Sequence, residues 1–382
     1  MRHLKIAIVH EWLEHYGGSE RVLGQLLACY PQADVFAVVD FMAEDERAFL
    51  GGREVTTTFI QYLPFARRCF RRYLQLMPIA IEQLDLSGYD LVISSHHAVA
   101  KGVITGPDQL HISYVHSPMR YAWDMQAQYL QQSGLDRGLK SLYAKWMLHS
   151  LRGWDRTSAA GVDVFIANSS YIARRIRKAY RRNAHVLHPP VAVDRFVPGD
   201  GVRDGYLVVS RLVPYKRIDL IVEAFAQMPN HRLTVVGDGP GYDVVAGVAA
   251  RCKNIELLKP VSECALVALM QRARAMVFAA EEDFGITMVE AQACGTPIIA
   301  YGAAGACDII SSDASAESTG VLFPKQSVEA IIEAVRRFEA LEAAMSPQSC
   351  RANAMRFSEN NFRNKFCALV AEHEHIVVNR PD

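Results

Sequence analysis

The sequence lacks an excess of charge of either sign. Its 41 Lys and Arg residues balance 41 Asp and Glu residues over 382 positions. A neutral chain has no global field that draws it to nucleic acid or to anionic lipid, so any basic surface must be local. We therefore expect no nucleic-acid partner.

Long hydrophobic runs and paired cysteines are also lacking. No apolar stretch approaches the roughly 20 residues of a membrane span, and the apolar run in the opening MRHLKIAIVHEW is too short for a signal peptide. The eight cysteines are scattered, with no C-x-x-C pair and no histidines at zinc spacing, which suits a reducing cytosol. We expect a cytoplasmic protein without a metal site, soluble or at most peripheral on the inner face of the membrane.

Hydrophobic residues, by contrast, make up half of the chain, and its length predicts two domains. Short runs rich in Ile and Val alternate with amphipathic stretches, which is typical of a parallel sheet with helices on both faces. The predicted strands lie in LKIAIVHEWL, ADVFAVVDF and YDLVISSHHAV, and then in GYLVVSRL, HRLTVVGDG, NIELLKPV, AMVFAAEE and TPIIAYG.

The pattern restarts after a segment rich in Pro and Gly near residues 188–200, HVLHPPVAVDRFVPGD. We therefore predict an α/β protein with two doubly wound Rossmann-like domains, residues 1–190 and 191–360, facing a cleft.

A last helical stretch, residues 361–382, has no strand after it. Its apolar residues Phe362, Phe366, Leu369 and Val370 recur at helical spacing and need a surface to cover. We expect this helix to cross back and pack on the first domain.

Loops that lead from a strand into a helix are the candidate ligand sites of such sheets. Gly17 and Gly18 open a helix whose N–H groups favour a phosphate, although a Gly-Gly pair is more often a tight turn. Arg211 and Lys216 follow a strand and can either converge on one anion or stay two solvated cations. Gly237 begins a G-x-G-x-G run, which departs from the dinucleotide-binding spacing.

The stretch EEDFGITMVEAQACGTP places Glu282 and Glu290 eight positions apart around a Phe-Gly turn. The pattern predicts a helix beginning near Thr287, with Glu282 in the loop and Glu290 in the first helical turn. Exposed N–H groups from Phe284 to Thr287 suit hydroxyl or phosphate oxygens, and carboxylates can hold the hydroxyl pairs of a sugar or ribose. A nucleotide sugar is the ligand that this indicates. The stretch alone would also fit a solvated Glu282 and a Glu290 that only complements the helix dipole.

Together, GGSERVL, SRLVPYKR, VVGDGPG, EEDFGITMVEAQACGTPIIA and TGVLFP resemble, in order and spacing, the retaining glycosyltransferases of family 4, which have the GT-B fold. The resemblance covers almost the whole chain. The first half, with HEWL, YVHSPMRYAWD and VDVFIANSSYIARRI, is more narrowly similar to mannosyltransferases of bacterial O-antigen and exopolysaccharide assembly. This implies transfer of mannose from GDP-mannose to a polyprenyl-diphosphate-linked saccharide, with no further cofactor.

The resemblance implies four catalytic residues. Arg211 and Lys216 correspond to the cations that neutralise the donor diphosphate, and Glu282 to the carboxylate that holds sugar hydroxyls beside the reacting carbon. His116 corresponds to a histidine near the transferred sugar and the leaving phosphate, although alone it would be taken for a core histidine.

The remaining implied contacts bind the donor. Glu290 corresponds to the carboxylate that binds ribose, and Gly18 to a loop glycine at the phosphate. We expect the backbone of residues 259–262, around Val261, to bind the base. The other donor-binding residues that we expect are Gly17, Gly237, Phe284, Gly285, Ile286 and Thr287.

The chain departs from the family in one loop. Many members carry Gly-Gly-Xaa-Xaa-Glu after the next strand, whereas YGAAGACDII has Ala303, Ala304 and Asp308 there. Other functions that the sequence leaves open are a sugar-nucleotide epimerase of the same architecture, a nicotinamide dehydrogenase resting on GDGPG, and a lipid- or nucleic-acid-binding module built on PFARRCFRRYL and YIARRIRKAYRR.

Overall fold

The structure, a computed structural model, describes residues 4–312 and 317–375. The chain divides into two compact units, Met1–Pro189 with Phe362–Asp382, and Pro190–Asn361. Each unit is built on a sheet whose described strand pairs are all parallel. The predicted α/β class with two Rossmann-like domains is confirmed.

The first unit has seven strands in the described residues, in the order β3-β2-β1-β4-β5-β6-β7. The order reverses between β1 and β4, and ligands of such sheets bind at this reversal, beyond the carboxyl ends of the strands. The strands are β1 Ile6–Leu13, β2 Asp34–Asp40, β3 Val55–Thr57, β4 Leu91–His96, β5 Leu110–Val115, β6 Val164–Ala167 and β7 His185–Val186.

Helices cover both faces of this sheet, and the strands β1, β4 and β5 are almost completely buried because both of their faces are covered. The helices of the first unit that precede the linker are α1 Gly18–Cys29, α2 Ala66–Cys69, α3 Met77–Glu82, α4 Gln126–Gln132, α5 Gly138–Ser158 and α6 Ser170–Tyr180.

The second unit has six strands in its described part, in the order β10-β9-β8-β11-β12-β13, so its reversal lies between β8 and β11. The strands are β8 Tyr206–Val209, β9 Leu233–Val236, β10 Ile255–Leu258, β11 Ala275–Phe278, β12 Ile298–Tyr301 and β13 Gly320–Phe323. The helices are α7 Ile218–Ala226, α8 Tyr242–Ala249, α9 Glu263–Arg272, α10 Ile286–Ala293, α11 Ala306–Ile309, α12 Val328–Leu341 and α13 Pro347–Met355.

The terminal helix α14, Glu359–His373, covers the first unit as expected. Phe362, Phe366 and Val370 are buried in the core formed by β1, α1 and β5, and Leu369 is partly buried against it. The ring of Phe362 lies 5.8 Å from that of Tyr114 on β5. The predicted stretch also included residues 376–382, which lie outside the described residues.

No helix within the described ranges is long and apolar enough to cross a membrane. The same ranges hold no group of three or more His, Cys, Asp or Glu side chains placed to bind a metal ion.

Candidate functional site

Lys216 and Glu282 form an ion pair at the strand reversal of the second unit. Lys216 ends a short 3-10 turn, Pro214–Lys216, that follows β8, and Glu282 lies in the loop after the neighbouring strand β11. The two side chains are 16% and 17% exposed, so the pair is shielded yet open to a ligand. The Lys216 ammonium also lies 5.6 Å from the ring centre of Phe278, which lines it on the apolar side. The structure thus brings together two of the four expected catalytic residues.

Arg211 lies exposed on the same loop as Lys216, and the glycine-rich loop after β9 holds this segment in place. The Leu212 N–H donates to Asp238 O at 2.9 Å, and the Gly241 N–H donates to Leu212 O at 2.7 Å. A Cβ on Gly237 would lie 1.9 Å from Ser210 O. The close approach of two strand ends therefore explains why residue 237 is a glycine. This is separate from the donor contact that was expected from the sequence.

The Phe284-Gly285 turn is held in place by contacts with Gly305. Gly285 has φ +104, the left-handed region that glycine favours, and it caps α10. The Gly305 N–H donates to Glu282 O at 2.9 Å. A Cβ on Gly305 would lie 2.3 Å from Phe284 Cα, so only glycine at 305 lets this loop sit where it presents Glu282.

The position of Glu290 corrects the prediction from the sequence. Helix α10 begins at Ile286, so Ile286 and Thr287 lie in its first turn and Glu290 lies in the second turn. The pattern did not show that Gly285 would cap the helix at that residue. Glu290 is 6% exposed, more deeply placed than the half-buried Ile286 and Thr287.

Two other loops of this unit contain residues expected near the donor. Val261 lies exposed between β10 and α9. In the loop that carries Ala303 and Ala304, Ala304 takes φ +51, a left-handed conformation that only glycine adopts without strain. Asp308 is half-buried on the short helix α11.

In the first unit, Gly17 and Gly18 begin α1 as predicted, but its N-terminus already holds a carboxylate. The Gly17 N–H donates to Glu20 Oε2 at 2.9 Å, and the Ser19 hydroxyl donates to Glu20 Oε1 at 2.9 Å. Burial would raise the pKa of Glu20, but hydrogen bonds from His10, Ser19 and the backbone outweigh it and lower the pKa to about 2. Glu20 is therefore ionised at neutral pH.

A chain of buried side chains joins Glu20 to His116, which follows β5. Glu20 Oε1 lies 3.2 Å from His10 Nε2, His10 Nδ1 lies 3.1 Å from Ser95 Oγ, and Ser95 Oγ lies 2.9 Å from His116 Nε2. His10 and Ser95 are register partners on β1 and β4, the two strands at the reversal of this sheet. Burial lowers the pKa of His116 to about 3, so its ring is neutral. Sequence reasoning missed Glu20, His10 and Ser95. Glu20 in the first turn of α1 and Ser95 near the end of β4 lie where a site was expected, whereas His10 lies within β1.

Glu11 is a second buried carboxylate that the sequence did not single out. It accepts hydrogen bonds from the backbone N–H groups of residues 97–100, at 2.6 to 3.0 Å, and its Oε1 lies 3.2 Å from His96 Nδ1. Glu11 therefore fixes the loop after β4, directly beside Ser95.

The HSPMRYAWD segment after β5 is held by α5 and α6. Ser117 Oγ accepts from Arg175 at 2.7 Å, and the Trp123 indole donates to Asp155 at 2.7 Å. Asp155 is fully buried and pairs with Lys101 at 2.9 Å. These contacts give the motif a structural basis and hold the backbone that carries His116.

Two family models match the chain, "Glycosyltransferase Family 4" over residues 16–195 and "Glycosyl transferases group 1" over residues 202–357. The chain is 32% identical over 169 residues to the D-inositol 3-phosphate glycosyltransferase of Mycobacterium leprae (strain Br4923), a match that takes in 37% of this chain and 39% of that protein. It is 30% identical over 225 residues to the enzyme of the same name from Mycolicibacterium paratuberculosis, 51% of this chain and 49% of that one. The chain thus spans less than half the length of these curated relatives.

Solved structures share the fold. The HepE protein of Anabaena in complex with UDP has a TM-score of 0.71 at 16% identity, over 97% of this chain and 100% of that one. The sucrose-phosphate synthase of Thermosynechococcus elongatus also has a TM-score of 0.71 at 16% identity, over 96% and 98%. At such identities the likeness shows the fold alone. The family models go further, because they match both halves in order: the chain belongs to the family 4 glycosyltransferases.

Proposed function

We propose that this protein transfers a sugar from a nucleoside diphosphate sugar with retention of configuration. The observation that carries the proposal is the Lys216–Glu282 pair at the strand reversal of the second unit. It sets a cation suited to a leaving phosphate beside a carboxylate suited to sugar hydroxyls.

The cations have the main chemical task. As the bond to the sugar breaks, negative charge grows on the diphosphate and positive character grows on the sugar, so fixed positive charge at the phosphate stabilises the transition state. Lys216 and the exposed Arg211 supply that charge in our proposal, and no divalent metal is needed. The acceptor attacks from the face that the phosphate leaves, and the phosphate takes its proton.

The neighbouring groups bind the rest of the donor. Glu282 holds sugar hydroxyls together with the backbone of residues 284–286, and Glu290 binds the ribose. Gly237, Val261 and Thr287 complete the donor contacts. In the first unit, Gly17 and Gly18 keep their proposed place at the phosphate and His116 at the transferred sugar.

For the donor we propose GDP-mannose, which the motifs of the first half support. The alternative is a UDP- or dTDP-sugar, and the UDP and UDP-glucose complexes of the HepE protein support that choice. A sugar-nucleotide epimerase is a weaker alternative, because the family models that match the chain describe transferases.

For the acceptor we propose a polyprenyl-diphosphate-linked saccharide of bacterial surface polysaccharide assembly, met by a cytoplasmic protein bound to the inner membrane surface. An exposed aromatic face on the first unit supports membrane contact. It consists of Tyr62, Phe65, Leu142, Tyr143 and Trp146, which are 58 to 82% exposed.

Two hydrogen bonds support this aromatic face, one within the segment that carries Tyr62 and Phe65 and one between that segment and α5. The Tyr73 hydroxyl donates to Pro64 O at 2.7 Å, and the Tyr143 hydroxyl on α5 donates to Gln75 at 2.8 Å. Phe65 sits at φ +57, a strained conformation for a bulky residue. The exposed cations of the same two segments, which suit anionic lipid, are Arg67, Arg68, Arg72, Lys140 and Lys145.

Vesicle flotation tests the membrane part. Wild-type protein should float with vesicles that contain phosphatidylglycerol and stay behind with pure phosphatidylcholine. Trp146→Ser combined with Leu142→Ser should abolish flotation, whereas Val202→Ser, which changes a still more exposed apolar residue of the second unit, should not. Equal flotation of all three proteins would refute the assignment of this face.

A donor panel tests the transferase itself. GDP-mannose, UDP-glucose, UDP-N-acetylglucosamine, UDP-galactose and dTDP-rhamnose are compared by slow donor hydrolysis and by thermal stabilisation. GDP-mannose should give the largest response. A preference for a UDP sugar would replace the donor and keep the transferase, and no response to any of the five would contradict both.

A further inference from the structure

The buried chain from Glu20 to His116 dictates where protons lie, because each member limits the next. An ionised carboxylate only accepts hydrogen bonds, so the contact between Glu20 and His10 requires a proton on His10 Nε2. In the neutral form of His10 that carries this proton, Nδ1 is the accepting nitrogen, so it accepts a hydrogen bond from the Ser95 hydroxyl. The Ser95 oxygen then accepts from His116, which must carry its proton on Nε2.

The consequence concerns the other nitrogen of His116. With the proton held on Nε2, Nδ1 has a lone pair and no hydrogen. It can accept a hydrogen bond from a hydroxyl, but it cannot donate one to a phosphate oxygen, which has only lone pairs to offer.

We propose that Glu20, His10 and Ser95 are positioning residues that hold His116 as the Nε2–H tautomer, so that Nδ1 accepts a hydrogen bond from a hydroxyl of the ligand. This rests on the proposed function, which identifies the ligand as a sugar. It also narrows the role of His116: the histidine binds the transferred sugar and does not stabilise the leaving phosphate, a task that stays with Lys216 and Arg211.

The same sheet contains a second histidine that serves as a reference, because it carries its proton on the other ring nitrogen. His111 on β5 places Nδ1 3.1 Å from Gly161 O and Nε2 2.9 Å from Ser94 Oγ. A carbonyl oxygen only accepts, so His111 carries its proton on Nδ1 and accepts from Ser94. Ser94 and Ser95 are adjacent on β4, and both are fully buried. Ser94 nevertheless donates to His111, whereas Ser95 accepts from His116.

Long-range proton–nitrogen correlation spectra of protein labelled with ¹⁵N-histidine read the tautomers directly, with no donor present. His116 should show the Nε2–H pattern and His111 the Nδ1–H pattern. Ser95→Ala should shift His116 toward a mixture of tautomers and leave His111 unchanged, and Ser95→Thr, which keeps the hydroxyl, should restore the wild-type pattern. An Nδ1–H pattern for His116 in the wild type would overturn the proposal, since it would mean that a protonated His10 drives the chain in the opposite direction.

Kinetics supply the second measurement, on the donor that the panel identifies. Ser95→Ala should raise KM about tenfold, the scale of one lost neutral hydrogen bond, with a smaller change in kcat. Ser94→Ala, the matched control, should leave both near wild type. If Ser95→Ala and Ser94→Ala behave alike in both the spectra and the kinetics, the chain is structural only. A protein inactive on every donor would contradict the proposed function but would still give the tautomer result.

Discussion

The ammonium of Lys216 pairs with the carboxylate of Glu282, and the two residues reach each other from the carboxyl ends of neighbouring strands, β8 and β11. Each charge neutralises the other, because placing either charge alone in this shielded position would carry a desolvation cost. In the proposed function the donor offers a phosphate to Lys216 and hydroxyls to Glu282, so binding replaces one internal pair by two ligand contacts.

Lys216→Ala should lower turnover about a hundredfold or more, because it removes charge that stabilises the leaving diphosphate. Lys253→Ala, an exposed lysine of the same unit, is the control and should be nearly neutral. Steady-state rates at saturating donor measure both. A folded Lys216→Ala protein with most of its activity would show that the cation is not part of the chemistry.

Glu282→Gln and Glu290→Gln should separate sugar binding from ribose binding. Glu282→Gln removes the internal partner of Lys216, so the free nucleoside diphosphate should bind as tightly as before or more tightly while transfer is lost. Glu290→Gln should weaken binding of that same nucleotide. Calorimetry with the nucleoside diphosphate alone decides, and the reverse pattern would exchange the two roles.

The strand ends that carry the site of the second unit were predictable, since β8 and β11 are clear apolar runs and the turn at Phe284 follows β11. Strand β5, LHISYV, was not predicted, because its histidine and serine give this fully buried strand a polar pattern. The chain of buried side chains from Glu20 to His116 was not predicted either. Sequence periodicity does not reveal that His10 and Ser95 are register partners, because pairing between strands far apart in the chain is set by the assembled sheet.

Gly305→Ala should displace the loop that presents Glu282, because the new methyl group would collide with the Phe284 backbone. We expect a loss of about 2 kcal/mol of unfolding free energy, in the range for overpacking, and a larger loss of activity. Gly247→Ala is the matched control: it lies in α8 with open space around it, and alanine there should stabilise the helix by about 0.5–1 kcal/mol. Denaturant titration compares the two. Equal effects would mean that the loop tolerates the added atom.

Glu11→Gln should change how stability depends on pH. Burial would raise the pKa of Glu11, but hydrogen bonds from His96 and the backbone, together with nearby His97, hold it well below its ordinary value of 4.5. A depressed folded-state pKa stabilises the fold above about pH 4.5, and this contribution is lost as the pH falls below that value.

The variant should therefore be less stable than wild type at pH 7 by about 3 kcal/mol, and the difference should shrink as the pH falls below 4.5. Glu44→Gln, at an exposed carboxylate, should match wild type throughout. Melting curves from pH 7 to pH 3 show the trend, and a difference that stays constant over this range would contradict the account of Glu11.

The most direct test of the central claim is the stereochemistry of donor turnover, followed by proton NMR with chelator present. Wild-type protein given GDP-mannose should release GDP and form the α-anomer first, at the same rate with EDTA as with magnesium, and Lys216→Ala should abolish the signal. First release of the β-anomer, turnover that stops with EDTA and returns with magnesium, or no nucleoside diphosphate from any sugar nucleotide would contradict the account.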